Sequence, residues 1–84
     1  MTKVEKLFKR FLNRPKDLTW EELTKVLSFF GYQEQTGGAA GGSRRKFIHK
    51  SLPIIIAHKP HPQNIVKTYL INQIIDLLEQ ENLI

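Results

Sequence analysis

Apolar residues recur every three or four positions in three segments of the chain, which is the spacing of one face of a helix. The first segment carries Val4, Leu7, Phe8, Phe11 and Leu12. The second carries Trp20, Leu23, Val26, Leu27 and Phe30, and the third carries Leu70, Ile71, Ile74, Ile75, Leu77 and Leu78. The spacing predicts three amphipathic helices, of which the last begins near Tyr69 with Thr68 as its N-cap.

Polar residues and a glycine mark the ends of the first two helices. Thr2 with Glu5, and Thr19 with Glu22, have the spacing of a capping box, in which each side chain satisfies a backbone amide at the helix start. Gly31 follows the second apolar stripe, where a left-handed backbone conformation is needed to end a helix. These signals predict two well-bounded helices before residue 32.

Between the second and third helices the pattern changes to that of strands. Residues 32–36 are compatible with a short strand, residues 43–50 with a basic one, and residues 52–58 are rich in β-branched side chains. The nearly continuous apolar run of the last strand predicts burial on both faces or packing under helices. The Gly/Ala stretch of residues 37–42 is typical of a flexible hairpin connection. Together the elements predict an α+β fold with a three-stranded antiparallel sheet packed by helices.

Charge is concentrated in the middle of the chain. The 84 residues carry a net charge of +5, yet residues 43–67 hold six Lys/Arg and no acid, which gives that segment +6. A concentrated cationic segment attracts phosphate backbones, so the charge favours contact with a nucleic acid over the alternative of a solvated basic face. The length allows one domain over residues 1–84. The absence of cysteine, of a signal peptide and of a long apolar run indicates a cytoplasmic protein with no membrane contact.

The candidate nucleic-acid-binding residues lie around the basic strand and after the apolar one. They are Ser43, Arg44, Arg45, Lys46 and Lys59. His61 stands between Pro60 and Pro62, which hold it in a stiff extended segment that presents an imidazole at low entropic cost. His49 and His58 lie in or at the end of strands, where structural roles are commoner. The spacing of the three histidines, with no carboxylate nearby in sequence, predicts no metal site and no cofactor.

Four features follow one another in this chain: a capped helix ending in Gly31-Tyr32, Gly42-Ser43 before a basic strand ending in Phe47, the Pro60-His61-Pro62 turn, and a C-terminal helix with Ile71, Ile74 and Ile75. With these features in this order, the chain resembles the HicA family of bacterial toxins. The resemblance covers residues 17–84, and residues 1–16 resemble the helical extension of longer members. It implies an αβββα fold like that of double-stranded-RNA-binding domains. It also implies a metal-independent endoribonuclease that cleaves mRNA and is neutralised by a HicB-type antitoxin.

One residue departs from the family pattern. The residue after Gly-Ser is usually a histidine, taken to be catalytic, and here it is Arg44. A guanidinium group stays protonated and cannot act as a base, but it can fork onto two phosphate oxygens and stabilise their charge. Proton transfer then requires another group, for which His61 is the first candidate and His58 and His49 are the others.

Three functions fit this sequence. In the first, nuclease activity survives, with Arg44 stabilising charge and His61, His58 or His49 acting as acid or base. In the second, the chain is an inactive RNA-binding module of the same fold, because the family histidine is replaced. In the third, it is a protein-interaction module. The sequence leaves open the RNA preference, the oligomeric state, the antitoxin's identity, and the roles of the N-terminal helix and the Gly/Ala loop.

Overall fold

The computed structural model describes residues 3–36, 44–60 and 63–84. In chain order these residues form α1 (Lys3–Leu12), α2 (Trp20–Phe29), β1 (Gln33–Thr36), β2 (Arg44–Ile48), β3 (Ile55–His58) and α3 (Thr68–Gln80). The strands make one sheet in the order β1-β2-β3, and both pairings are antiparallel. The predicted α+β fold is confirmed: αβββα with one helix in front.

The ends of α2 follow the sequence signals closely. The Thr19 hydroxyl accepts from the Glu22 amide at 3.2 Å, and the Glu22 carboxylate accepts from the Thr19 amide at 2.9 Å, which confirms the capping box. At the other end Gly31 has φ +94°, and the Tyr32 amide donates to the Leu27 carbonyl at 3.0 Å. This hydrogen bond belongs to a Schellman motif, which requires the left-handed residue that glycine supplies.

The capping carboxylate of Glu22 makes stability depend on pH. The hydrogen bond from the Thr19 amide is the main cause that holds the pKa of Glu22 below its ordinary value, and Arg10 adds to it. Because the folded-state pKa is lowered, this stabilisation is complete above the unfolded-state pKa of about 4.3. It is lost as the pH falls through the lower folded-state value. We expect Glu22→Gln, which keeps an acceptor oxygen, to reduce the free energy of unfolding by about 0.5–1 kcal/mol near neutral pH.

The difference should vanish in acid, where the Glu22 carboxyl is protonated in both states. Urea denaturation of the two proteins across the acid range measures it. Asp76→Asn is the matched control, since Asp76 is an exposed carboxylate on α3 without a hydrogen bond or ion pair to the residues described. A Glu22→Gln protein that keeps the parent's acid dependence would contradict the assignment.

Helix α1 is attached to the core by one buried ring and one bridging cation. Phe11 is fully buried, and Phe8 packs edge-on against Phe30 with ring centroids 5.3 Å apart. Arg10 donates to Asp17 Oδ1 at 2.6 Å and to Glu22 Oε2 at 2.8 Å, so it joins the end of α1 to the start of α2. The predicted cap residue Thr2 lies outside the described residues.

Helix α3 supplies much of the core. Its buried residues are Leu70, Ile71, Ile74, Ile75 and Leu78, and this confirms most of the predicted apolar stripe. The predicted cap at Thr68 is wrong: Thr68 is already helical, and Lys67, whose backbone is extended, takes the N-cap position without a side-chain hydrogen bond.

None of the helices within the described residues has the length and apolar character that a bilayer span requires.

The strands are shorter than predicted, and β3 is buried on one face only. Ile55 and Ala57 are 6% and 3% exposed, whereas Ile54 and Ile56 are 57% and 47% exposed. Of the two alternatives predicted for this strand, burial on both faces is wrong, and packing under helices holds for the face that carries Ile55 and Ala57. The other face, called here the open face, is lined by the alternate residues of the strands.

Candidate functional site

The pleat of β2 sends its three consecutive cations to opposite faces of the sheet. Phe47 is buried and packs on Trp20 with ring centroids 5.5 Å apart, so it points toward the helices. Arg45, two residues earlier, shares that face, because side chains alternate along a strand. Arg44 and Lys46 alternate with them, are exposed, and lie on the open face. The basic strand therefore presents two cations on the open face and one toward the helices.

Arg45 takes part in a polar cluster at the edge of the core. Its Nε lies 3.6 Å from Glu34 Oε2, and the same oxygen accepts from the Trp20 indole nitrogen at 3.2 Å. The cluster joins β1, β2 and α2. Arg45 was predicted to bind RNA together with its neighbours, but here its charge faces Glu34. A role in RNA binding stays a prediction for this residue.

The register of β2 and β3 places a histidine directly opposite Arg44. The Cα partners are Arg44 with His58, and Lys46 with Ile56. Directly opposite residues of an antiparallel pair share a face and have Cβ atoms about 4.5–5.5 Å apart. Gln35 of β1 is the partner of Lys46 on its other side. The open face thus carries Gln35 beside Lys46 on β1 and β2, and Arg44 beside His58 on β2 and β3, while Ile56 is the apolar partner of Lys46 on β3.

Arg44 and His58 keep their functional groups available. Both residues are exposed. Within the part of the chain that the structure describes, neither side chain makes a hydrogen bond or an ion pair. The guanidinium fork and both imidazole nitrogens therefore face solvent on the open face, where an anionic ligand can reach them.

His49, in contrast, is a structural residue. Its Nε2 lies 2.9 Å from the Phe30 carbonyl oxygen, and its Nδ1 accepts from the amides of Ser51 and Leu52 at 3.0 and 3.3 Å. Since Nδ1 is an acceptor, the proton of the neutral ring sits on Nε2 and is donated to Phe30. Both nitrogens hold backbone groups, so His49 has no free nitrogen for proton transfer.

Lys59 follows β3 and lies near the start of α2. The pKa of Glu21 is lowered mainly by a hydrogen bond from the backbone amide of Glu21 itself. A hydrogen bond from the Asn64 side-chain amide and the charge of Lys59 lower it further. Lys59 therefore has an acidic neighbour in Glu21. Its predicted role in RNA binding stays a prediction.

Two of the predicted site residues, Ser43 and His61, lie outside the described residues. Tyr32 and Phe47 are only 2% and 1% exposed, so neither ring is available to stack on an RNA base. The Tyr32 hydroxyl donates to the Pro53 carbonyl at 2.9 Å, and burial raises the pKa of this phenol. No group of three or more potential metal ligands occurs among the described residues.

Sequence reasoning undervalued His58. It lies at the end of an apolar strand, and nothing in the local sequence indicates which residue stands opposite it. Only the pairing of β2 with β3 brings it beside Arg44, 14 positions earlier in the chain. The residues before it, Ile54 to Ala57, are all apolar, so the sequence shows no alternation that would place His58 on an exposed face.

The comparisons with known proteins agree with the fold. No curated protein and no solved structure matched the chain. A family model described as "HicA toxin of bacterial toxin-antitoxin" matches residues 20–81, which run from the first residue of α2 to just beyond α3. The αβββα arrangement of these residues is the double-stranded-RNA-binding-domain-like fold of that family. Because the match covers most of the chain, the protein belongs to the HicA family of bacterial toxin–antitoxin toxins.

Proposed function

We propose that this protein is a HicA-type toxin that acts in the cytoplasm, binds mRNA on its open face and cleaves it without a metal ion. The observation that carries the proposal is the open face itself. Arg44, Lys46 and His58 lie on neighbouring strands, exposed to solvent, in a chain that belongs to a toxin family. They combine phosphate binding with a group that can transfer protons.

Phosphate contacts supply the affinity in this proposal. Arg44 can bind two oxygens of one phosphate through its planar fork, while Lys46 acts as a point charge. They lie two residues apart on one strand, a separation of about 6.6 Å at the usual rise per residue. That spacing suits two successive phosphates of a single strand. Ser43, Lys59 and Arg45 complete the RNA-binding set predicted from the sequence.

Cleavage requires proton transfer as well as charge stabilisation. Arg44 supports the phosphorane charge but cannot accept a proton. The sequence nominates His61 for proton transfer, and that nomination stands as a prediction. We also propose that a HicB-type antitoxin neutralises the protein. Ile54 and Ile56 are exposed beside the cations of the open face, so these apolar side chains could contact the antitoxin.

A second candidate function is that of an inactive RNA-binding module with the same fold. The observation that favours it is the arginine at the position where the family usually carries its catalytic histidine. The open face would then bind RNA and leave it intact. The third alternative, a protein-interaction module, predicts that RNA is not bound.

Purified protein incubated with mRNA in EDTA separates these functions. We expect cleavage in EDTA and binding that weakens steeply with salt. Binding without cleavage would support the inactive module, and absence of binding would favour the protein-interaction module. In cells, induced expression of the protein should arrest growth. Co-expression of the HicB-type antitoxin, sought in the reading frame next to its gene, should relieve the arrest. Growth unaffected by expression of the protein alone would contradict the toxin function.

A further inference from the structure

We infer that Arg44 and His58 form one catalytic pair, in which His58 removes the 2′-hydroxyl proton of RNA while Arg44 holds the adjacent phosphate. The inference rests on the proposed nuclease function and identifies the group that performs its proton transfer. The substrate class is a phosphodiester with a neighbouring 2′-hydroxyl, so RNA is a substrate and DNA is not.

The sheet register brings the two groups together. Arg44 and His58 are direct Cα partners, at the end of the β2–β3 ladder. Their neighbours Arg45 and Ala57, also partners, point to the helical side, where Ala57 is 3% exposed. The alternation therefore directs both Arg44 and His58 to the open face. With Cβ atoms about 5 Å apart, a guanidinium and an imidazole can both reach one nucleotide.

The chemistry of the two groups is complementary. In the step we propose, the O2′ proton moves to a neutral imidazole nitrogen of His58 and O2′ forms a bond to phosphorus. The P–O5′ bond breaks, and its electron pair leaves with O5′, which takes a proton from water. The imidazolium then returns its proton to the hydroxide so formed. The products are a 2′,3′-cyclic phosphate and a 5′-hydroxyl, with no net change in protons.

Arg44 contributes charge stabilisation to this step. Its fork donates hydrogen bonds to the two non-bridging oxygens, on which negative charge increases as O2′ attacks. Lys46 lies on the same face, two residues along β2. There it binds the next phosphate and holds the RNA strand in position. Neither cation has to lose a proton, so each residue has one role.

The other described histidine cannot take the role of His58. Both ring nitrogens of His49 are used by backbone groups of the β2–β3 connection and of the end of α2. Replacing His49 would disturb the fold, whereas His58 is exposed and packs in no core cluster. A surface substitution of this kind usually changes stability by less than about 0.5 kcal/mol. The loss of His58 can therefore be tested in a folded protein.

The test compares four proteins on one RNA oligonucleotide in EDTA: the parent, His58→Ala, His61→Ala and the exchange Arg44→His/His58→Arg. We expect His58→Ala to lose cleavage by about 10²–10⁴-fold, the usual contribution of a general base. Its RNA affinity should stay within about threefold, since Arg44 and Lys46 remain, and its melting temperature should not change. The exchange keeps both groups on the same face at the same separation, so it should cleave at least about tenfold faster than His58→Ala.

Product analysis provides a second criterion. Mass spectrometry should find 2′,3′-cyclic phosphate ends, and a 2′-O-methyl version of the oligonucleotide should stay intact. If the parent cleaves and His58→Ala cleaves as fast, or if only His61→Ala is inactive, the pair is wrong while the nuclease function stands. Products with a 5′-phosphate would overturn it in the same way. If the parent leaves RNA intact, the proposed nuclease function fails, and the pair with it.

Discussion

The variant Arg44→Glu/Lys46→Glu is expected to bind RNA at least about 100-fold more weakly than the parent. In the proposed function each residue makes a charge-assisted contact to phosphate, and such contacts contribute about 1.5–3 kcal/mol each. The reversed charges also repel the backbone. Because both side chains are exposed, the fold should remain intact. Fluorescence anisotropy with a labelled RNA, measured across a range of salt concentrations, gives the affinity and its salt dependence.

The slope of log affinity against log salt should become shallower by about 0.7 for each lost phosphate contact on single-stranded RNA. The matched control is Lys6→Glu/Lys25→Glu, which reverses two exposed lysines of α1 and α2. Both variants reduce the net charge by four, from +5 to +1. They therefore differ in the location of the charge and not in its amount. Equal losses in the two variants would show that RNA responds only to net charge, and would contradict an RNA site on the open face.

The second large effect is expected for stability, from Phe47→Ala. Phe47 is 1% exposed and packs against the Trp20 ring at the junction of α2 with the sheet. Removing a buried phenylalanine costs about 3–5 kcal/mol through lost burial and the cavity that remains. A domain of this size has a free energy of unfolding of roughly 4–13 kcal/mol in total. Phe47→Ala should therefore lose a large part of its free energy of unfolding. Denaturant unfolding followed by Trp20 fluorescence measures this loss.

Ile56→Ala is the control for this prediction. Ile56 lies on β3, adjacent to the strand that carries Phe47, but it is 47% exposed on the open face. Its truncation should reduce the free energy of unfolding by less than about 1 kcal/mol. Similar losses for the two variants would mean that the open face is as closely packed as the helical face. That result would contradict the one-sided burial of the sheet.

The helices and their boundaries were largely predictable, because their signals are local. The capping box of Thr19 with Glu22 and the left-handed Gly31 need only neighbours within one helical turn. The same locality explains one error. Thr68 has the chemistry of an N-cap, but Lys67 occupies that position. Hydrogen bonds that involve the amides of Trp20 and Val66 join the segment before α3 to residues 18–20. The backbone therefore turns into the helix one residue earlier than predicted.

The basic strand was predictable as a strand, but the faces of the sheet on which its cations lie were not. Three consecutive cations in the sequence resemble one patch, and the pleat separates Arg45 from Arg44 and Lys46. The apolar run at β3 likewise gave no sign that Ile54 and Ile56 are exposed, because the residue type is the same for an exposed isoleucine and a buried one. Burial depends on which face the helices cover, and that is a property of the whole fold.

The sequence by itself determined the class of fold, the order of its elements, the concentration of positive charge and the family of the protein. These features depend on composition, local spacing and the order of motifs. Only the tertiary structure decided which cations share a face and which histidine they meet. Arg44 and His58 are 14 positions apart in the chain and adjacent in the sheet, because strand register is set by which side chains face the core and by the connection between the strands. The same packing leaves His49 with its nitrogens bonded to the backbone and His58 with its nitrogens exposed.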